Sequence, residues 1–182
     1  MKLPRTLRLD PSDMVVFGQA APPGEWAVPG GFAFWDEDVA ALTGQRRQAF
    51  RAGFLGLGSF GWSTLVEVAE ASDAEREAAV AALAAHIRAA YGAPDEAAAR
   101  AAAADEIGFA ASLCDHPSGT VLALARSVEG GRVSEKFRTL HRREAPHSDF
   151  GSLPVFGIVE VEDDEAPDDL PDLTRMAPGS NL

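Results

Sequence analysis

Apolar and polar positions first alternate along this chain, then recur at helical spacing, then alternate again. Residues 3–9 set Leu3, Leu7 and Leu9 on one strand face and Thr6 and Arg8 on the other, with Arg5 falling on the apolar side. The turn signal Asp10-Pro11-Ser12-Asp13 leads into an apolar run at 14–17, which reads as a second short strand. After a loop rich in Pro and Gly, 31–35 reads as a third strand. Helical spacing begins near Val39 and again after Thr43, whose hydroxyl suits an N-cap, and Phe50 and Phe54 are spaced to share a face. Gly53, Gly56, Gly58 and Gly61 are expected to end that helix, and 62–69 is rich in β-formers.

The clearest helix follows. Ser72 and Glu75 have capping-box spacing, Asp73 and Glu75 suit the positive N-terminal dipole, and Val80, Leu83, Ile87 and Tyr91 trace one face until Gly92 stops it. Arg76, Glu77 and Arg88 fall outside that face. Pro94 is placed to open a second, alanine-rich helix reaching about Cys114, its small face suited to close packing and its bulk supplied by Ile107 and Phe109.

Residues 120–128 and 133–141 read as strands joined at Glu129-Gly130-Gly131-Arg132, where two glycines accept the positive φ of a tight hairpin. That loop fixes the register. Arg126 opposes Glu135 as a cross-strand ion pair, and Leu124 meets Phe137 on the core face. A last strand is expected at 155–161. Strands at both ends with helices between predict an α+β domain over 1–160, with a largely antiparallel sheet of about five to seven strands and two to three helices packed on it.

Charge changes the picture at the C-terminus. Of the net −12 carried by 182 residues, a large share falls from Glu160 onward, where eight carboxylates face Arg175 alone. Residues 161–182 therefore read as an acidic, proline-containing tail. Such acidity makes nucleic acid and anionic membranes poor partners. The chain shows no apolar stretch long enough for a signal or a membrane helix, and its one cysteine, Cys114, cannot pair internally, so a cytoplasmic location is expected.

Little here carries recognisable chemistry. Gly56-Leu57-Gly58-Ser59-Phe60-Gly61 matches G-x-G-x-x-G, but a dinucleotide site needs a strand before the motif and a helix after it, and the reverse order is expected here. Cys114-Asp115-His116 offers a thiol beside an imidazole. A helix C-terminus disfavours thiolate, however, and a structural zinc would need two further ligands, so packing and helix capping are the simpler roles. Trp26, Trp35 and Trp62 read as core or sheet-edge packing, and Asp36 and Asp38 as dipole partners at a helix start. No cofactor or metal is called for. The outward face of the hairpin is different: Lys136 and Arg138 lie above Ala125 and Ala123, with Arg142 beyond, a shallow basic floor in an acidic protein. It is expected to receive a small anion, a partner's acidic segment, or the protein's own tail.

Several stretches also carry a resemblance. Leu9-Asp10-Pro11-Ser12-Asp13, Gly24-Glu25-Trp26-Ala27-Val28, Phe32-Ala33-Phe34-Trp35-Asp36, Gly58-Ser59-Phe60-Gly61-Trp62-Ser63-Thr64-Leu65 and Phe109-Ala110-Ala111-Ser112-Leu113-Cys114-Asp115-His116-Pro117 together resemble a family of small bacterial proteins of unknown function. The resemblance spans residues 1 to about 160. It implies an accessory role, from genes near redox-enzyme accessory genes and a biotin/lipoate ligase-like gene, and it transfers no catalytic residue. The reading is a non-enzymatic binding or accessory protein that recognises an anionic ligand or a protein partner. The rivals are an enzyme using Cys114 and His116, and a pure protein–protein interaction subunit.

Overall fold

The computed structural model describes residues 1–140. Seven strands in two antiparallel sheets and four α-helices make an α+β fold among these residues. The larger sheet has the order β1 (Lys2–Leu7), β5 (Leu65–Glu70), β6 (Val121–Glu129), β7 (Arg132–Leu140). The smaller has the order β2 (Ala27–Val28), β3 (Phe54–Gly56), β4 (Trp62–Ser63). A bridge between Arg5 and Trp26 joins β1 to the residue before β2, and Thr64 alone separates β4 from β5. The pairings therefore run in a ring, from β1 through β2, β3 and β4 into β5 and back to β1.

The corner at Thr64 is held from outside the sheets. Asp13, buried in α1 (Asp13–Val16), accepts the Thr64 hydroxyl at 2.5 Å, the Thr64 N–H at 3.2 Å and the Ser63 hydroxyl at 3.3 Å. The run 14–17, expected as a strand, is thus mostly this single helical turn. Four apolar residues do not distinguish strand from helix, and the bonds of Asp13 decide it. Residues 31–35 are also not a strand. Gly30 adopts φ 71°, its N–H donates to Glu106 at 3.0 Å, and Gly31–Phe34 winds as a 3-10 helix.

The helix expected near Val39 is only a turn, with the Ala41 N–H bonded to Asp38. α2 (Gly44–Ala52) ends where the Gly53 N–H reaches Ala49, so Phe54 opens β3 instead of sharing a helical face with Phe50. α3 (Asp73–Ala90) has the full capping box of Ser72 and Glu75, and it buries Val80, Leu83 and Ile87. α4 (Glu96–Ser112) begins two residues later than Pro94 would place it, because Asp95 caps it through the Ala98 N–H at 2.7 Å. Its buried Ala99, Ala103, Ile107 and Ala110 recur at helical spacing against α3, and small residues let the two axes approach.

The hairpin register is as the glycines dictate, with Arg126 opposite Glu135, Leu124 opposite Phe137, Ala125 opposite Lys136 and Ala123 opposite Arg138. The expected strand at 155–161, Arg142 and the acidic tail lie outside the described residues.

Leu83 is fully buried at the centre of the α3 face. Leu83→Ala is expected to cost about 2–5 kcal/mol, from lost transfer energy and the cavity left behind. Urea unfolding measures it, and a loss under about 0.5 kcal/mol would show that the face is not core.

Candidate functional site

The glycine-rich segment 56–61 is the turn between β3 and β4, with a strand on either side of it. A strand precedes the motif where a helix was expected, but a strand and not a helix follows, so no helix N-terminus points at the loop. What fills it is a carboxylate of the chain itself. Glu25 Oε2 accepts the Gly58 N–H at 3.2 Å, the Ser59 N–H at 3.0 Å and the Ser59 hydroxyl at 2.9 Å. A Cβ at Gly56 would lie 2.5 Å from that oxygen, so the carboxylate's approach requires glycine there. Glu25 is itself fixed by β1, since its carbonyl accepts the Thr6 N–H at 2.8 Å and its N–H donates to the Thr6 hydroxyl at 2.9 Å.

The loop so held delivers Phe60 in an unusual conformation. Phe60 has φ 53°, the one non-glycine residue with positive φ among those described. For a bulky side chain this costs about 1–2 kcal/mol. Its ring stacks on the His86 imidazole, centroids 3.6 Å apart and planes 6° from parallel. His86 in turn meets Tyr91 edge-on at 5.6 Å, and Tyr91 meets Phe32 at 5.3 Å. Trp62 and Leu55 form a buried floor, and Gln19, Gln45 and Arg46 complete the walls of a cleft of about 440 Å³.

Electrostatics in the cleft follow from burial. Desolvation lowers the His86 pKa from its ordinary 6.5, so the imidazole is neutral at pH 7. Burial raises the Tyr91 phenol; the Arg46 charge opposes that shift, while Glu37 and Asp36 add to it. Arg46 lies over the Phe34 ring at 4.1 Å, donates to the Ala33 carbonyl at 2.7 Å and pairs with Glu37 through Nε and Nη2. These residues come from six separate segments. No local spacing joins them: the sequence marks the glycines of 56–61 only as the end of a helix and Tyr91 only as a member of the α3 face.

A second, open cleft of about 580 Å³ lies between Trp35, Val39, Phe50 and Val133, with buried Arg126 and its half-buried partner Glu135 in its wall. Trp35 is 71 % exposed at this mouth, so unlike Trp62 it is not core: the 3-10 helix turns it outward, where a strand would have packed it.

Lys136 and Arg138 stand on the exposed outward face of β7, the outermost strand of the described sheet. No salt bridge engages either among the described residues. Cys114 is buried at the end of α4, its Sγ 3.5 Å from the Ala110 carbonyl, and burial pushes the thiol up to about 11. At neutral pH it is a protonated, enclosed thiol, which is poor material for a nucleophile. His116 is fixed through its carbonyl, which accepts from Lys2 Nζ at 2.8 Å. Among the described residues no three His, Cys, Asp or Glu side chains gather to hold a metal, and no helix is long and apolar enough to cross a membrane.

Comparison with curated proteins and with solved structures finds no match in either. A protein-family model, by contrast, spans residues 1–155, and on that match the protein belongs to the family of unknown function DUF6505.

Proposed function

We propose that this protein is a binding protein that takes a small flat molecule into the cleft of Phe60, His86 and Tyr91. One observation carries the reading: Phe60 is kept in a costly backbone conformation at the cleft wall, where its ring lies against a neutral imidazole. Strain of this kind persists where surrounding structure over-determines it, and it gathers at ligand sites. The cleft also has the make-up of a small-molecule site, an aromatic interior with a few polar groups converging on it. The test is Phe60→Gly. Glycine relieves the positive φ while removing a half-buried ring, so unfolding free energy should stay within about 1 kcal/mol of the parent. Quinoline, a flat probe, should shift amide resonances around Phe60, His86 and Gln45 in the parent and not in the variant. A loss above about 2 kcal/mol in Phe60→Gly, with no quinoline shifts in the parent, would mean that Phe60 is packing and the cleft is empty architecture.

A second reading rests on the outward face of β7, where the register sets Lys136 and Arg138 side by side over small residues. There the protein would receive a partner's acidic segment. Polyglutamate binding should weaken as salt rises from 50 to 200 mM, and Lys136→Ala with Arg138→Ala should remove both the binding and its salt dependence. Unchanged binding in the double variant would reduce this face to ordinary solvated surface.

A further inference from the structure

We infer that the molecule the cleft takes is an uncharged heteroaromatic ring with a lactam edge, a carbonyl next to a ring N–H. This rests on the cleft reading above and adds what its rim recognises.

Two glutamine side chains line the cleft, and each has one amide N–H committed elsewhere. Gln19 Nε2 donates to the Ser59 carbonyl at 2.7 Å, and Gln45 Nε2 donates to the Val15 carbonyl at 3.1 Å. Each amide is thereby oriented, and each Oε1 is left as an acceptor with no donor among the described residues. For Gln45 the position is defined further. Its Oε1 lies 3.3 Å from where a Cβ on Gly18 would stand, and Gly18 lines the same cleft. Next to Gln45 on α2, Arg46 uses Nε and Nη2 on Glu37 and Ala33, which leaves Nη1 without a protein acceptor among the described residues. The Tyr91 hydroxyl and both His86 ring nitrogens likewise have no partner there. The rim therefore presents oriented acceptors at the two glutamines together with donors at Arg46 and Tyr91. A ligand edge that donates and accepts from neighbouring atoms answers both, and the aromatic walls require that edge to belong to a flat ring.

Charge narrows the class. The one cation at the rim, Arg46, is already paired with Glu37, and Asp36 and Glu37 lie close enough to act on the Tyr91 hydroxyl. An anionic ligand would find that cation already paired. A cationic one would meet the guanidinium. The neutral lactam edge meets neither objection, and the volume of about 440 Å³ suits one or two fused rings.

The experiment compares three probes of nearly one shape by titration of the full chain, followed by amide shifts at Phe60, His86 and Gln45. These are 2-quinolone, which carries the lactam edge; quinoline, which has the ring without it; and quinoline-2-carboxylate, which is anionic. The lactam is expected to bind at least roughly 10-fold more tightly than quinoline, the ordinary worth of one to two added hydrogen bonds, and the carboxylate more weakly than either. Gln45→Leu, at an exposed position of α2, should bring 2-quinolone down toward quinoline. Equal affinities for 2-quinolone and quinoline, or tightest binding by the carboxylate, would overturn the lactam assignment and leave the cleft reading standing. If no probe shifts these residues, the cleft reading itself fails, and the assignment fails with it.

Discussion

The guanidinium of Arg126 is the group around which the rest of the molecule is arranged. Its side chain has no exposed surface, and its three nitrogens reach four partners: Glu135 across the hairpin at 2.5 Å, the Phe50 and Gly53 carbonyls at 3.0 and 3.3 Å, and the Pro29 carbonyl. A charge removed from water costs several kcal/mol unless all its N–H groups are answered. Three segments must therefore converge on one point: the β6–β7 hairpin, the end of α2 with its cap Gly53, and the loop after β2. Glu106 of α4 extends the cluster by accepting the Gly30 N–H, and burial, with Glu135 nearby, raises its carboxyl despite that bond and Arg126. Such a cluster adds little net stability over an apolar core of the same volume. What it contributes is specificity of arrangement. The same convergence builds the cleft, because α2 brings Arg46 and Gln45, and the residues after Pro29 bring Phe32 against Tyr91 and Phe34 under Arg46.

A second carboxylate does comparable work on the other wall. Glu25 sits in the glycine loop where an external phosphate sits in a nucleotide-binding protein, and the resemblance to G-x-G-x-x-G is physical as well as textual. Backbone N–H groups do converge on an anion, but the anion is internal. The consequence runs through the chain in steps. β1 holds Glu25, Glu25 holds the loop, the loop sets Phe60 at positive φ, and Phe60 covers His86. A motif usually taken as a ligand contact is here a positioning device one step removed from the cleft.

What the sequence made legible was what local chemistry decides. The capping box at Ser72, the buried stripe of α3 and the whole register of the β6–β7 hairpin follow from residues a few positions apart. The register even set Arg126 opposite Glu135, although nothing local said that the arginine would be buried. Short apolar runs were not legible: 14–17 and 31–35 each turned helical because distant partners, Thr64 for one and Glu106 for the other, satisfied the turns that began them. The cleft was the least legible feature. Its residues are separated by up to 70 positions or so, and the signal at its centre, a phenylalanine at positive φ, is a property of the backbone that composition does not encode. Lys136 and Arg138, by contrast, were read correctly as a pair on one face, because period two is all that placement required.

The account stands or falls on whether the internal carboxylate holds the Phe60 ring against His86 in solution. The imidazole proton shifts of His86, measured by NMR at pH 7.5, report this directly, since a phenyl ring stacked 3.6 Å away moves protons above its face strongly upfield. The account predicts clearly upfield His86 resonances in the parent protein that return toward free-histidine positions in Glu25→Ala. Free-histidine shifts in the parent, or upfield shifts unchanged by Glu25→Ala, would contradict it.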